Sequence, residues 1–438
     1  MKVKVAKFGG SSLADAAQFR KVKAIMDADP QRIFLVPSAP GKRSYKDEKI
    51  TDLLYKCQKL AAVGEHFEEI FDVIAERYIE IAHELELEID IRKHLQIVWS
   101  KIKNGASADY AASRGEYLSG LLLADYIGFE FVDAATIVRF DENGKFDSEV
   151  TQMLVSEAIG GKKNVLVPGF YGAKPNGEIK VFPRGGSDIS GAVIARGVHA
   201  DVYENWTDVS GFLMADPRIV KDPKPIRIVT YSELRELAYM GATVLHEDSI
   251  FPVRQACIPI NVRNTNMPEE PGTMIVPDTD GGSSGGRLTG IAGRKGFTVI
   301  AIAKDNMHNE IGFGFKVLEV LKNHGISFEH IPTGIDTMSV ILAEKEMEGR
   351  RKQIVDELLL ETGADSVELH DDLALIATVG RGMVRYVGTS AKLFSALADN
   401  NVNIRMIDQG SSEMNIIVGV ENDEFDRAVC AIYEAFKD

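Results

Sequence analysis

Cysteine is scarce in this chain. Its three residues, Cys57, Cys257 and Cys430, stand far apart among 438. No C-x-x-C pair occurs, so the sequence offers neither a zinc-type ligand spacing nor a disulfide framework, and a reducing, cytoplasmic setting is expected. Positive charge is also short. Fifty lysines and arginines face 65 aspartates and glutamates, a formal net charge of −15. Such a chain is a poor general binder of nucleic acid or of an anionic membrane, and neither is expected as a partner. An anion bound here must be held by local cations, helix ends or a metal. No apolar run reaches membrane length, and the first residues read as a strand, with no apolar signal segment expected. Two common nucleotide signatures are missing as well: there is no G-x-x-x-x-G-K-[ST], and no G-x-G-x-x-G follows a strand. What remains is an ordinary globular composition, 45% hydrophobic and 26% charged, at a length that fits two or three domains.

The stretch that organises the chain is Val5-Ala6-Lys7-Phe8-Gly9-Gly10-Ser11-Ser12. Before it, Val3 and Val5 alternate with Lys2 and Lys4, a period of two that marks a strand. After it, Leu13, Ala16, Ala17, Val22, Ile25 and Met26 recur at helical spacing. A strand therefore runs into a Gly-Gly turn that opens a helix, and unpaired N–H groups at a helix start suit phosphate. The glycines allow close approach of a ligand to the backbone, and Lys7 adds a cation beside it. An ordinary strand–helix turn with a solvated lysine has the same local pattern.

Along the chain, Ile33–Val36 reads as a second strand, and the charged segment 42–49 as a surface loop. Apolar stripes at helical spacing follow at Leu53–Ala61, Phe67–Ile81 and Leu95–Ile102, and residues 111–127 form a further helix carrying Glu116. Residues 131–134 and 165–170 look like strands between helices, so an α/β sheet with helices on both faces is expected. Phe182-Pro183-Arg184-Gly185-Gly186-Ser187-Asp188 is a second glycine turn into a helix. Ser or Asp at a helix start is common for capping alone, but a cation, two glycines, a hydroxyl and a carboxylate together fit a phosphate compound gripped from two sides. The strand at 201–206 ends in Thr207-Asp208, at the strand end where open α/β sheets place ligand groups. His246 reads as a packed or capping histidine. Residues 268–272 and 278–286 form the clearest linker. Beyond it the order is βαββαβ, with strands at 297–303, 328–331, 338–343 and 366–369. A second round then starts at 373–379 and stops one strand short. These are two ferredoxin-like repeats, whose missing strand is explained if the two units interleave.

The motifs now converge. Lys7-Phe8-Gly9-Gly10-Ser11-Ser12, Arg184-Gly185-Gly186-Ser187-Asp188, Trp206-Thr207-Asp208-Val209, Ala215-Asp216-Pro217-Arg218, Val244-Leu245-His246 and Glu270-Pro271-Gly272-Thr273 stand in the order found in aspartate kinases. The C-terminal part resembles their paired ACT domains, with Gln409-Gly410-Ser411-Ser412-Glu413 and Asn415 typical of the second. The resemblance covers almost the whole chain. It implies an α/β amino-acid-kinase fold, a three-layer αβα domain of the carbamate-kinase type, over residues 1–280, followed by two ferredoxin-like βαββαβ ACT domains at 287–371 and 372–438. It implies transfer of the ATP γ-phosphoryl group, with Mg²⁺, to the β-carboxylate of L-aspartate. That is the step opening lysine, threonine and methionine synthesis. A monofunctional form without a fused homoserine dehydrogenase is expected, as a homodimer or tetramer joined through ACT domains.

By position, Lys7, Gly9, Gly10 and Ser11 resemble the family's ATP-phosphate loop, and Ser187, Thr207, Asp208 and Arg218 its other nucleotide contacts. Thr51, Glu116 and Arg184 match its aspartate-binding positions, and Asp188 the acidic residue that orders the catalytic centre. Three substitutions depart from the pattern, Leu213 for a tyrosine, Thr243 for a lysine and Glu247 for a proline, and the segment 42–49 lengthens the loop before Thr51. In the first ACT unit, Met307, Gly312, Phe313, Gly314, Ser327, Glu329, Thr333 and Asp336 fall around the family's effector pocket. Glu329 and Asp336 suit a side-chain cation, so lysine is the favoured effector. Two other classes share parts of this pattern: an ACT-type amino-acid sensor with an inert kinase domain, and another carboxylate kinase of the same fold. Retention of Lys7, Asp188 and Arg184 argues against the first, and the full motif series against the second.

Overall fold

The structure is a computed structural model. It describes residues 2–437 except 184, 243–244, 246 and 279–287, and gives no side-chain account of 247–249 and 384–385. The positions Arg184, Thr243 and His246, the side chain of Glu247 and nearly all of the linker at 278–286 thus lie outside the described residues. The chain divides into two compact units. The first is Met1–Phe212, Pro225–Tyr231 and Thr243–Gly282; the second is Leu213–Lys224, Ser232–Ala242 and Ser283–Asp438.

The first unit is built on β1 (Lys4–Phe8), β2 (Arg32–Pro37), β3 (Glu130–Phe131), β4 (Val165–Leu166), the hairpin β5 (Tyr171–Ala173) and β6 (Ile179–Val181), β7 (Val202–Thr207), β8 (Ile228–Thr230), β9 (Ile260–Asn264) and β10 (Thr273–Val276). Apart from the hairpin they form one eight-stranded sheet in the order β3-β4-β2-β1-β7-β9-β10-β8. Every pairing is parallel except that of β10 with β9. β1 is interior, flanked by β2 and β7, which explains its near-continuous burial. Alternation along it sends Ala6 and Phe8 into a core shared with the helices Ala16–Asp27, Ile50–Ala62, Glu68–Glu84, Ile91–Lys103 and Ala108–Ile127. Lys7 falls on the other face, against which the helix Gly186–Gly197 packs.

Beneath the sheet, Trp206 stacks on Phe8 with centroids 5.8 Å apart, and the guanidinium groups of Arg32 and Arg263 lie 5.1 and 4.6 Å from its ring. Buried Glu204 accepts from Arg32 Nε at 2.7 Å and from Trp206 Nε1 at 2.9 Å, so its carboxylate and the indole N–H answer each other. The end of β7, where Thr207 and Asp208 project, is thereby fixed.

Local chemistry overrides several sequence expectations. The first glycine turn opens only a 3₁₀ turn, Gly10–Leu13, and the helix Ala16–Asp27 starts after Asp15. Asp15 caps it by accepting from Gln18 N at 2.9 Å, whereas Ser12 is turned inward to Thr265 Oγ1 at 2.7 Å. The expected strand at 131–134 stops at Phe131, because Asp133 accepts from Ala135 N and starts the short helix Ala134–Ile137. The strand expected at 165–170 ends at Leu166, two residues before Pro168.

The second unit carries β11 (Gly290–Ala303), β12 (Thr337–Ala343), β13 (Ser366–Val379), β14 (Met406–Asp408) and β15 (Asn415–Glu421) in one antiparallel sheet ordered β12-β11-β13-β15-β14. The helices Phe313–Asn323 and Arg351–Thr362 cover one half of it, and Thr389–Asp399 and Phe425–Phe436 the other, each half with its own apolar cluster. β11 and β13 run through both halves. Phe297–Ala303 pairs with Ser366–Leu373, and Gly290–Arg294 pairs with Leu375–Val379. The second half thus borrows a strand that lies before the first half in sequence. The strand expected at 328–331 is absent: only the isolated bridges His330 to Ile341 and Thr333 to Met338 form. Pro332 has no N–H to donate there, and Phe328 remains 44% exposed. β14 is confined to Met406–Asp408, since Val402 N closes the preceding helix on Leu397 O at 3.0 Å.

Candidate active site

A cavity of 1470 Å³ opens in the first unit beside the end of β1. It gathers Lys7, Gly9, Gly10, Ser11, Thr51, Glu116, Ser187, Asp188, Thr207 and Asp208, residues that span most of the unit's sequence.

Lys7 is 6% exposed and ion-paired with Asp188, in the first turn of Gly186–Gly197. That helix begins at Gly185, whose φ of 78° is a left-handed conformation suited to glycine. Asp188 is held on further sides. Asn205 Nδ2 donates to its Oδ1 at 2.8 Å, and Tyr203 Oη donates to its backbone oxygen at 3.1 Å. Asn205 lies directly beside Lys7 in the β1–β7 register. Sequence reasoning missed it; its signal was a buried amide in a buried strand, at the position paired with Lys7.

The backbone of the phosphate-like loop is packed against a second glycine. Gly41 N donates to Gly10 O at 2.8 Å, and a Cβ on Gly41 would lie 2.6 Å from the Gly10 carbonyl carbon and 2.8 Å from Ser11 N. Gly9 N donates to Trp206 O at 2.9 Å, anchoring the same loop to β7.

Glu116 sits in the helix Ala108–Ile127, 4% exposed. Burial pushes its carboxyl up to about 8, although a backbone amide, the Ser187 hydroxyl and the Arg114 charge pull the other way. Ser187 Oγ donates to Oε1 at 3.4 Å, while Oε2 has no partner among the described residues. A buried carboxylate with one free oxygen facing a cavity suits a cationic ligand group. Thr51 lines the same wall from the first turn of Ile50–Ala62.

Further lining residues were not anticipated. Phe140, Phe146 and Phe182 form an aromatic wall with centroids 4.9–6.0 Å apart. Lys42 and Lys49, from the segment read as a surface loop, also face the cavity. Arg218 is not among the lining residues. It belongs to the second unit, and Asp216 chelates it through Nε at 2.9 Å and Nη2 at 2.5 Å. Among the described residues no helix is long and apolar enough to cross a membrane.

In the second unit the effector positions divide. The Met307 turn meets Asp336: Asn306 N donates to Asp336 Oδ1 at 2.9 Å, and Lys304 N to its backbone oxygen at 2.9 Å. Gly312, with a φ of 86°, starts the helix Phe313–Asn323, in which Gly314 faces Met338. Ser327 is exposed, and Thr333 Oγ1 donates to Ile331 O at 3.2 Å. Glu329 is taken up elsewhere, by a hydrogen bond from Tyr239 Oη and by Arg294 Nη2 at 3.5 Å.

Residues 2–264 match the amino acid kinase family, and residues 376–436 match an ACT domain. The chain is 37% identical over 449 residues to aspartokinase 3 of Bacillus subtilis, covering 99% of this chain and 98% of that protein. The chain belongs to the aspartokinases. In its structure it is similar to Clostridium acetobutylicum aspartate kinase, with a TM-score of 0.92, 52% identity and full coverage of both chains. Escherichia coli aspartokinase III is more distant. Its complex with aspartate and ADP has a TM-score of 0.72 at 26% identity, and its complex with lysine and aspartate 0.74 at 25%, both at full coverage. The chain is accordingly an amino-acid-kinase domain joined to an ACT regulatory region, and its family is one of ATP-dependent kinases.

Proposed function

We propose that this chain phosphorylates the β-carboxylate of L-aspartate from ATP, yielding 4-phospho-L-aspartate and ADP, the step that opens lysine, threonine and methionine synthesis. The observation that carries the reading is one cavity with a buried Lys7 paired to Asp188 and a buried Glu116 carboxyl awaiting a cation. Aspartate's β-carboxylate is ionised near neutrality, so it needs no general base. The obstacle is electrostatic, and catalysis consists of positioning and charge neutralisation. A β-carboxylate oxygen attacks the γ-phosphorus, the bond to the β-phosphate oxygen breaks, and ADP departs with the electron pair. Lys7 meets the migrating phosphoryl group. Asp188, itself fixed by Asn205, sets the position of Lys7. Gly9, Gly10 and Ser11 present backbone N–H groups to the phosphates, with Ser187, Thr207 and Asp208 completing the nucleotide end. Glu116 receives the α-ammonium, Arg184 forks to the α-carboxylate, and Thr51 orients the same substrate.

Mg²⁺ fits as an ion carried by the phosphates. The described residues hold no cluster of three or more metal-type ligands, and Asp188 and Asp208 are the carboxylates at that end. Bound there it would neutralise phosphate charge.

Residues 1–280 are read as the catalytic domain, and 287–371 and 372–438 as the ACT units. Lysine is the proposed effector, supported by the lysine complex of the E. coli relative and by the acids Glu329 and Asp336. Its ammonium would have to take Glu329 from Tyr239 and Arg294. Exposed Ile311, Phe315, Ile335 and Val387 support assembly as a homodimer or tetramer through this region. A cytoplasmic location accompanies the reading. The test is hydroxylamine trapping of acyl phosphate with ATP and either aspartate or glutamate. Aspartate-dependent hydroxamate is expected; none, or equal yield from glutamate, would overturn it.

A further inference from the structure

Among the described residues, the phosphate end of the cavity is short of uncommitted positive charge. Lys7 is its buried cation, but Lys7 is already paired with Asp188, and Asp208 adds another carboxylate at the end of β7. A nucleoside triphosphate brings several further negative charges. Lys180, on the opposite hairpin, is held by Asp109 at 2.8 Å. Lys42 and Lys49 also line the cavity, and neither side chain makes an ion pair or hydrogen bond with any described residue.

Of these two, Lys42 emerges from the phosphate loop's own packing partner. It follows Gly41, whose backbone touches Gly10 and Ser11. Lys49 instead caps the helix that carries Thr51, at the substrate end.

The turn bearing Lys42 is built, despite its surface-like composition. Arg77, 1% exposed, donates Nη1 to Gly41 O at 3.1 Å and Nη2 to Asp47 Oδ2 at 2.7 Å. The same Asp47 oxygen accepts from Arg43 N at 2.9 Å. Burial opposes ionisation of Asp47, but the Arg43 amide and the Arg77 charge hold its carboxyl below the usual range. Burying a guanidinium is costly unless its partners are well placed. Here both partners belong to one short turn, so the arrangement fixes the point from which Lys42 leaves the backbone.

We infer that Lys42 contacts the transferring phosphoryl group of the triphosphate and shares the neutralisation of its charge with Lys7. The inference rests on the phosphotransferase reading above. In that step the phosphoryl group passes from the β-phosphate oxygen to the carboxylate oxygen. Lys42 answers the charge on its non-bridging oxygens and on the incoming carboxylate, with no competing carboxylate of its own.

The test compares Lys42→Met, Lys42→Arg and Lys46→Met. Lys46 lies in the same loop, over the Tyr45 ring at 5.6 Å, and is not a lining residue. Steady-state kinetics on the full chain should show kcat/KM for ATP falling roughly 10- to 100-fold in Lys42→Met, the range for losing one charge-assisted contact. Lys42→Arg should recover most of it, and Lys46→Met should match wild type. Calorimetry with a non-hydrolysable ATP analogue and with ADP reads the contact without turnover: Lys42→Met should weaken the analogue and leave ADP within about twofold. Lys42 is exposed and unpaired, so melting temperatures should coincide. Equal loss for ADP and the analogue, no loss for either, or the same loss in Lys46→Met would overturn the inference. If wild type forms no aspartyl phosphate, the functional reading fails, and the analogue-versus-ADP comparison still decides whether Lys42 meets the terminal phosphate.

Discussion

Replacing Glu116 by glutamine should separate substrate recognition from stability in a way that pH makes visible. Burial raises the Glu116 carboxyl from 4.5 to about 8 in the ligand-free protein. The groups around it are Arg114, which favours the charged form, Ser187, and the phenols of Tyr55 and Tyr78, whose own ionisation its charge opposes. At pH 7 about one-tenth of the molecules carry the carboxylate that an α-ammonium requires. Apparent aspartate affinity should therefore rise about tenfold between pH 7 and pH values above the Glu116 titration. Each aspartate bound at pH 7 should release about 0.9 proton. Titration calorimetry in buffers of different ionisation enthalpy measures that proton directly.

The stability effect has the opposite sign. Between 4.5 and 8 the folded protein holds a proton that the unfolded chain has lost, so wild-type stability falls as pH rises through this window. The loss is roughly 1.4 kcal/mol per pH unit, reaching roughly 3 kcal/mol at pH 7. Glu116→Gln lacks this slope and should gain on wild type steadily from pH 5 to 8, while losing roughly 10- to 100-fold in aspartate affinity. Denaturant titrations of both proteins across that range check it. An aspartate affinity that is flat from pH 6 to 8.5, or parallel stability curves for the two proteins, would refute the reasoning.

Lys7→Ala should lower kcat by roughly 10²–10³-fold, with a smaller effect on the KM for aspartate, because its charge acts on the migrating phosphoryl group; near-normal kcat would remove it from the mechanism. Gly41→Ala should cost most of the activity while leaving aspartate binding by calorimetry closer to wild type, since the added Cβ falls 2.6–2.8 Å from the Gly10 and Ser11 backbone. Glu329→Gln should weaken inhibition by lysine with little change in uninhibited kcat. Tyr239→Phe should strengthen that inhibition by freeing Glu329 for the effector, and titrations with lysine, threonine and methionine would show both.

The kinase motifs were legible because each is a short contiguous phrase at a strand end or helix start: Lys7 to Ser11, Ser187-Asp188, and Thr207-Asp208. The sheet brings such ends to one side, and the cavity collects them. Other features depend on partners distant in sequence. Nothing around Asn205 announces that its acceptor is Asp188, on another element. The segment 42–49 has the composition of a solvated loop, and the buried cation that shapes it, Arg77, stands two helices away. The strand at 328–331 misled because its apolar spacing is genuine while its continuation is a proline. Arg218 lies in the second unit, where Asp216, two residues earlier, chelates it.

The two long strands of the second unit have a consequence for how this region can be altered. Because β11 and β13 each serve both halves, neither half is a removable cassette. Excision of residues 373–437 would strip Gly290–Arg294 of its partner Leu375–Val379, leaving the edge that faced it unpaired and open to a neighbouring chain. The ladder is irregular where the halves meet, between Arg294 and Val299, beside Gly296 at a φ of 89°. That joint is where the ladder is locally weakest. In hydrogen exchange the amides of the two halves should therefore open together, with the earliest loss of protection in that short interval, and grafting one half onto another kinase should succeed only if its partner travels with it.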